Sequence, residues 1–244
     1  MENSGGIERI SEIVGYRNVK RYSTKAHFVF DGLDLRGKRV LEIGCGKGSL
    51  VAWAALHGAS FVLGLEPEKE GSQSISYRTL EEVVSTLCLN NIEISPKTFD
   101  EYVFSEPFDV VILYNVINHL DEQAVTDMHV NMASYERFLC IAEKLCTVTA
   151  PKGILILADA ARSNLWGDLG RQSPFARTIE WKKHQNPKTW KRLFEQAGFK
   201  LVNLNWSQLY PLGKLSSNFL VHYITISHFL MHLERADNSP ANKS

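Results

Sequence analysis

The sequence predicts an α/β fold in which helices cover both faces of a mostly parallel, doubly wound sheet. Apolar, strand-like runs alternate along the chain with helical stretches, which is the pattern of repeated strand–helix–strand units. The runs are almost continuously apolar, as expected for strands that are buried on both faces. The chain of 244 residues is 44% hydrophobic and 22% charged, which is ordinary for a globular protein and enough for one large domain.

Seven runs are candidate strands, and four stretches between them are candidate helices. The strands are predicted at 39–43, 61–65, 91–95, 108–113, 153–158, 199–205 and 223–233. The helices are predicted at 49–57, 71–89, 121–148 (as two helices) and 187–197. Pro187 and Gly198 are typical start and stop residues for the last helix. Ligands of parallel sheets bind beyond the carboxyl ends of the strands, so we expect the site in the loops that follow the first five runs.

The strongest local pattern is the glycine-rich turn at 44–48, which joins the first strand to the first helix. Glycines at Gly44, Gly46 and Gly48 let the backbone turn sharply and approach a ligand closely. The first amides of the following helix have no helical partners and are available to that ligand. The dinucleotide fingerprint places its third glycine one residue later, and Glu42 would repel a pyrophosphate. The remaining alternative is a glycine turn without a ligand.

The turn closely resembles the first motif of class I S-adenosylmethionine-dependent methyltransferases. The resemblance is strong over 36–159 and continues more weakly to 234. It implies a Rossmann-like, seven-stranded sheet with an antiparallel last strand, and S-adenosylmethionine as the cofactor. It also implies that the turn cradles the methionine portion of the cofactor, with binding by Glu42, Gly44, Cys45 and Gly46. A carboxylate near the cationic amino group of that cofactor makes electrostatic sense.

Two further segments are predicted to bind the same cofactor. Glu66 ends the second strand about 20 residues past the glycines, where a carboxylate can accept hydrogen bonds from both ribose hydroxyls; the alternative is a surface glutamate. Pro67 follows it. By resemblance, Thr98 and Phe99 occupy the place that contacts the adenine, where family members often carry an aspartate. Here Asp100 comes one or two residues late.

The turn after the fourth strand resembles the family segment that passes alongside the transferable methyl group. Asn115 is predicted to contact the cofactor there, and His119 is one candidate catalytic base; its alternative role is to cap or pack the next helix. Some family members hold a metal in this turn with two glutamates and a histidine. This chain has Asn115 and Asn118 at comparable places, so we expect no metal.

The long connection at 160–184 follows the fifth strand, and in this fold it commonly lies over the acceptor. Long irregular loops in compact domains are usually functional or mobile. His184 is the second candidate base, because histidine is the usual base near neutral pH. Trp166 and Trp181 suit a flat or sugar-like acceptor. Alternatively, both tryptophans anchor a surface loop to the core.

Charge and composition limit the classes of partner. The 27 basic and 27 acidic residues give a net charge of zero, which does not favour bulk binding of nucleic acid. The 177–200 stretch is locally basic. Either it is a solvated helix face, or it is a surface that binds an anionic acceptor. The chain shows no zinc spacing among its four cysteines, no signal peptide and no apolar run approaching the roughly 18 residues of a membrane helix. We therefore expect a cytoplasmic protein without a membrane partner.

Together these patterns predict a methyltransferase whose acceptor is a small molecule, with a hydroxyl of a sugar or natural product preferred. Transfer to nitrogen or carbon is the nearest alternative, and a non-catalytic, S-adenosylmethionine-binding regulatory protein is an alternative from another class. We expect an N-terminal helical cap or lid at 1–35, a methyltransferase domain at 36–235 and a disordered tail at 236–244.

Overall fold

The computed structural model describes residues 4–67, 73–207, 209 and 218–237. The helices are α1 Ser4–Ile13, α2 Val19–Val29, α3 Ser49–Leu56, α4 Gln73–Thr86, α5 Ile117–Leu120, α6 Glu122–Asp127, α7 Met132–Val148, α8 Leu165–Asp168, α9 Pro187–Gln196 and α10 Phe219–Ile224, with a 3₁₀ turn at Trp181–Lys183. The strands are β1 Arg39–Ile43, β2 Phe61–Leu65, β3 Ile92–Ser95, β4 Phe108–Tyr114, β5 Thr149–Ala160, β6 Phe199–Trp206 and β7 His228–Arg235.

The seven strands have the order β3-β2-β1-β4-β5-β7-β6, and β7 runs antiparallel to β5 and β6. This confirms the predicted α/β class with a Rossmann-like, mostly parallel, seven-stranded sheet and an antiparallel last strand. By its contacts the chain divides into two compact units, Met1–Ile112 and Leu113–Ser244.

In the first unit, β1, β2 and β3 are parallel and in register at their carboxyl ends. Ile43 pairs with Leu65, and Leu65 pairs with Ser95. The segments that follow these three strands therefore start side by side, as the sequence predicted. Helix α3 is apolar around most of its circumference, and its residues from Leu50 to Ala55 are buried, which fixes the glycine turn before it to the core.

In the second unit, the twelve-residue strand β5 pairs with β7 along most of its length, from Ile154 opposite Glu234 to Ala160 opposite His228. The amphipathic helix α9 buries Trp190, Leu193 and Phe194. The 121–148 stretch forms α6 and α7, the two helices predicted there. The carboxyl end of β5, at Asp159 and Ala160, begins the long connection on which the sequence placed a catalytic histidine.

The predicted strand at 223–233 is wrong at its start. Residues Phe219–Ile224 form helix α10, and β7 begins only at His228. The side chain of Asn218 accepts a hydrogen bond from the Val221 N–H and so caps the helix. The β-branched and aromatic residues of this segment favour a strand locally, but the cap and the tertiary fold override that preference.

The predicted division into 1–35, 36–235 and a 236–244 tail stays a prediction. Helices α1 and α2 lie within the first of these segments, whereas residues 238–244 fall outside the described part of the chain. Across the ranges that the structure describes, no helix combines the length and the apolar character needed to cross a bilayer.

Candidate functional site

The glycine turn has the backbone conformation that its sequence predicted. Gly44, Gly46 and Gly48 have φ values of 68°, 52° and 71°, in the left-handed region that favours glycine. A Cβ at Gly48 would overlap the side chain of buried Leu80, whereas a Cβ at Gly46 would meet no atom within 4 Å. Gly48 is therefore required for packing, and Gly46 leaves the backbone open to a ligand.

Glu66 lies directly against this turn. Its Oε2 accepts a hydrogen bond from the Gly46 N–H at 2.8 Å, and its own N–H donates to the Ser95 carbonyl at 3.0 Å. Within the described part of the chain, the other carboxylate oxygen makes no hydrogen bond, and the residue is half-buried. Glu66 is thus held in place by one oxygen while the second is available to a ligand. Pro67, also half-buried, follows it.

Glu42 is more deeply buried than its predicted role as a ligand contact suggested. Its residue is 4% exposed, and Oε2 accepts a hydrogen bond from the Val51 N–H at 3.2 Å. Burial raises the pKa of Glu42 to about 8; Lys25 and the Val51 N–H oppose this, and Glu66 adds to it. Glu42 therefore carries a proton for much of the time near neutral pH. Its contact with a cofactor stays a prediction.

Cys45 belongs to the packing of the turn. It is buried, and a Cβ at Gly64 would come within 2.8 Å of its sulfur. Burial raises the pKa of the Cys45 thiol well above its usual range. The neutral thiol therefore packs between the turn and β2. Any contact of Cys45 with a ligand would come from its backbone atoms.

Sequence reasoning missed the part that helix α2 plays at this turn. The buried Tyr22 hydroxyl donates to the Ser49 carbonyl at 2.8 Å, and the Lys25 Nζ lies 3.5 Å from the Ser49 Oγ. Ser49 is the first residue of α3, directly after the glycines. The only signal in the sequence is the apolar spacing of Tyr22, Ala26 and Val29, the buried face of α2.

The predicted adenine contacts, Thr98 and Phe99, are both engaged within their own loop. The Thr98 N–H and Oγ1 donate to the Glu101 carboxylate at 2.9 and 2.8 Å. Phe99 is buried, with its ring 5.6 Å from that of Phe104. Asp100 is exposed beside them. The loop is therefore well ordered by local contacts, and its role toward adenine stays a prediction.

The second unit contains a polar cavity of about 340 Å³ at the carboxyl end of β5. Six of its lining side chains carry polar groups that matter to the chemistry: Asn115, Asn118, His119, Asp159, His184 and His228. Three predicted residues, which are Asn115, His119 and His184, thus line one cavity. Such a concave site with converging polar groups is the usual form of a small-molecule pocket.

His184 is oriented by a buried carboxylate. Its Nδ1 lies 3.1 Å from both oxygens of Asp159, whose side chain is 1% exposed, while the His184 side chain is 12% exposed. A carboxylate oxygen can only accept, so a neutral imidazole bound in this way has its hydrogen on Nδ1 and its lone pair on Nε2. The sequence singled out His184 but assigned no partner. An aspartate at the carboxyl end of a buried strand was the available signal.

Asn115 and His228 form a second polar pair in this cavity. Asn115 has a φ of 56°, its N–H donates to the Ala158 carbonyl at 2.8 Å, and its Oδ1 lies 2.8 Å from the His228 Nε2. The His228 Nδ1 in turn contacts the Ser207 hydroxyl. Nearby, the buried Oδ1 of Asn118 has no hydrogen-bond partner within the described ranges. Asn115 and His228 thus hold each other in place at the wall of the cavity.

His119 differs from His184 in its environment. Its side chain is 52% exposed, and its Nδ1 lies 2.7 Å from the Glu122 Oε1, which is also exposed. Such a pair at the surface is worth little energetically and does not fix the ring firmly. Of the two candidate bases, His184 is the one that the fold holds in a defined orientation.

The two tryptophans of the long connection fit the alternative role of core anchors. The indole N–H of Trp166 donates to the Ile224 carbonyl at 2.7 Å. Trp181 is buried and packs so closely on Gly167 that a Cβ there would come within 2.8 Å of its ring. Both side chains therefore secure the connection between β5 and α9.

Among the residues that the structure describes, no group of three His, Cys, Asp or Glu side chains could hold a metal ion.

Comparison with known proteins identifies the family. The family model of a methyltransferase domain matches residues 15–204. A ubiquinone biosynthesis O-methyltransferase of Neisseria meningitidis is 30% identical over 177 residues, which cover 70% of this chain and 67% of that protein. A tRNA U34 carboxymethyltransferase of Desulfotalea psychrophila is 36% identical over 87 residues, 35% of this chain and 26% of that protein.

Solved structures agree at the level of the fold. The magnesium protoporphyrin IX methyltransferase of Synechocystis PCC 6803 with bound S-adenosylhomocysteine superposes with a TM-score of 0.58 at 16% identity, covering 96% of this chain and 95% of that one. A methyltransferase of Aquifex aeolicus that depends on S-adenosylmethionine superposes with a TM-score of 0.59 at 14% identity. The match covers 94% of this chain and 98% of that one. The chain belongs to the methyltransferase domain family and is a class I S-adenosylmethionine-dependent methyltransferase.

Proposed function

We propose that this enzyme transfers a methyl group from S-adenosylmethionine to a hydroxyl of a small molecule, with His184 as the base. The observation that carries the proposal is the His184–Asp159 pair at the wall of a polar cavity. The cofactor supplies an electrophilic methyl group on its sulfonium. The chain's own residues must hold both reactants, exclude water and take up the proton of the acceptor.

The residues of the glycine turn fit this cofactor. Gly46 leaves space for close approach, and the second oxygen of Glu66 can accept from the ribose hydroxyls while the first stays on the Gly46 N–H. Gly44, Glu42 and the backbone of Cys45 would complete the contacts to the methionine portion, with Pro67 beside the ribose. Thr98 and Phe99 would contact the adenine through backbone or ring rather than through a carboxylate. Asn115 would contact the cofactor alongside the transferable methyl group.

Proton removal from an acceptor hydroxyl suits the tautomer that Asp159 imposes. With Nδ1–H held by the carboxylate, Nε2 of His184 is the free lone pair and can accept the acceptor's proton. The imidazolium that forms is stabilised by Asp159, which is buried and close. A methyl ether and S-adenosylhomocysteine are then the products. Transfer to carbon or to an already neutral amine makes less use of this pair.

A small-molecule acceptor is favoured over a nucleic acid by the charge of the chain. The net charge is zero, and part of the basic 177–200 stretch is neutralised by Glu180, which is 3.0 Å from Lys183, and by Glu195, which is 3.7 Å from Lys191. A cavity of about 340 Å³ suits a compact, hydroxylated molecule such as a sugar or an aromatic natural product. A cytoplasmic location fits such a substrate.

The experiment is a methyl-transfer screen with a panel of phenols, catechols and sugars as acceptors. Transfer is detected by the release of S-adenosylhomocysteine, and mass spectrometry identifies the methylated product. On the best acceptor, we expect His184→Ala to lower kcat by about a hundredfold or more, with little change in cofactor affinity. Asp159→Asn should also lower kcat, because it no longer imposes the tautomer.

His119→Ala is the comparison variant for the second candidate base. A larger loss of kcat in His119→Ala than in His184→Ala would transfer the role of base to His119. A product methylated on nitrogen or carbon would overturn the preference for a hydroxyl. No transfer to any acceptor, with cofactor binding intact, would favour the regulatory alternative.

A further inference from the structure

Arg162 attaches the segment that carries His184 to the end of helix α6. The Arg162 Nη1 donates to the Thr126 carbonyl at 3.0 Å and to the Lys182 carbonyl at 2.6 Å. Thr126 lies in the last turn of α6, where backbone carbonyls have no partner within the helix. Lys182 belongs to the 3₁₀ turn that ends just before His184. One guanidinium nitrogen therefore joins this helix end to the turn that leads into the proposed base.

The residues that follow His184 are attached in the same region. Gln185 is 1% exposed, and its Nε2 donates to the carbonyl of Val125 in α6. The Asn186 side chain accepts from the Ser163 N–H and donates to the Ser163 hydroxyl, both at 2.9 Å. His184 thus lies on a short segment that is fixed by side-chain contacts before and after it.

The charge of Arg162 is directed at backbone carbonyls rather than at a carboxylate. The residue is half-buried, and in the part of the chain that the structure describes it forms no ion pair. A hydrogen bond from a guanidinium to a carbonyl is charge-assisted and stronger than one between neutral groups. Arg162 also follows Asp159, the carboxylate that orients His184, by only three positions. The chain at the end of β5 therefore carries both the partner of the proposed base and the attachment of its turn.

The contact between His184 and Asp159 depends on the position of this turn. The His184 Nδ1 lies 3.1 Å from both carboxylate oxygens, and the His184 N–H donates to the Trp181 carbonyl at 3.2 Å. A displacement of about 1 Å can cost an enzyme about a hundredfold in rate. Loss of the Arg162 contacts would release the Lys182 carbonyl, and the imidazole would then lose its alignment with Asp159.

We propose that Arg162 is a positioning residue for methyl transfer, which acts through the Lys182 carbonyl to hold the His184 imidazole against Asp159. Arg162 lies outside the lining of the polar cavity, so its effect reaches the reaction through His184. The proposal rests on the proposed role of His184 as the base. It gives a functional part to a residue that the sequence did not single out.

The first test follows the His184 ring itself and needs no acceptor. Long-range ¹H–¹⁵N spectra, recorded above the ordinary titration range of histidine, show which ring nitrogen carries the hydrogen. The His184 signals are those that are absent from His184→Ala. We expect the hydrogen on Nδ1 in the wild type and in Arg171→Met, which replaces an exposed arginine of the same connection. In Arg162→Met, a substantial fraction should move to Nε2, because the contact with Asp159 no longer selects one nitrogen.

The second test is a double-mutant cycle on the best acceptor of the screen. We expect Arg162→Met to lower kcat by about tenfold to a hundredfold, with unchanged affinity for S-adenosylhomocysteine by calorimetry. In the His184→Ala background the same substitution should lower kcat no further, because residues that act as one unit are not additive. Arg162→Lys keeps a cation that can donate to the carbonyls, so it should retain most of the activity. Arg171→Met should leave kcat unchanged.

An unchanged His184 tautomer in Arg162→Met, or losses of kcat that add in the double variant, would overturn the proposal and leave Arg162 with a merely structural role. If Arg162→Met does not fold, as judged by circular dichroism, Arg162→Gln replaces it under the same criteria. Full activity of His184→Ala would instead refute the proposed base, and with it the need for a residue that positions this ring.

Discussion

Replacing Glu42 by Gln should remove a large pH dependence from the stability of this protein. Gln has nearly the same size and keeps an oxygen that can accept from the Val51 N–H, which Glu42 binds at 3.2 Å. It cannot ionise. The substitution therefore isolates the cost of a buried negative charge from the cost of lost packing or of an unsatisfied amide.

The magnitude follows from the pKa of this carboxyl. Burial raises the pKa of Glu42 from its usual 4.5 to about 8. Each pKa unit corresponds to about 1.4 kcal/mol, so the free energy of unfolding should differ by on the order of 4–5 kcal/mol between the fully protonated and the fully ionised carboxyl. The folded protein binds this proton more tightly than the unfolded chain does. The stabilisation of the folded state by this proton is therefore fully present below about pH 4.5, and it is lost as the pH rises toward and through about 8.

The assay is urea denaturation followed by circular dichroism, at about pH 5 and about pH 8.5, without cofactor. The free energy of unfolding of the wild type should fall over this range by several kcal/mol more than that of Glu42→Gln. Glu8→Gln, at an exposed position on α1, is the control and should follow the wild type. Equal pH dependence in the wild type and Glu42→Gln would refute the reasoning, because Glu42 would then not be the group that titrates.

The remaining predictions concern the cofactor site and the absence of a metal. Glu66→Ala should weaken binding of S-adenosylmethionine by one to two powers of ten, on the order of 1.5–3 kcal/mol; unchanged binding by calorimetry would remove its ribose role. Gly48→Ala should lower the melting temperature markedly because its Cβ overlaps Leu80. Gly46→Ala should fold with a loss of only about 1–2 kcal/mol, yet bind the cofactor weakly; a less stable Gly46→Ala than Gly48→Ala would contradict the tight packing of Gly48 against Leu80. Chelators should leave turnover intact, and a loss that magnesium restores would reveal a metal that the sequence did not indicate.

The features that the sequence could predict are those in which neighbouring residues carry the information. Gly44, Gly46 and Gly48 follow a buried strand directly, and Glu66 follows the adjacent parallel strand. Because β1 and β2 end in register, Ile43 beside Leu65, Glu66 must lie close to the turn. The α/β class follows from the same alternation of strands and helices.

The features that could not be predicted depend on contacts between distant segments. His184 and Asp159 are 25 positions apart, and Lys25 and Ser49 are 24 apart. Each pair is formed only because two elements pack together in the folded chain. The error at Tyr223 has a different cause: the local preference of Phe, Val, Tyr and Ile for strands was overridden by the Asn218 cap of α10.

The central claim, that the turn at 44–48 receives an adenosine sulfonium cofactor rather than a dinucleotide, can be tested by one pair of titrations. Purified wild-type protein is titrated with S-adenosylhomocysteine and, under the same conditions, with NADH. We expect saturable binding of S-adenosylhomocysteine and no heat of binding with NADH, because Gly48 comes one residue earlier than the third glycine of the dinucleotide fingerprint. Saturable binding of NADH, with S-adenosylhomocysteine remaining unbound, would contradict the account.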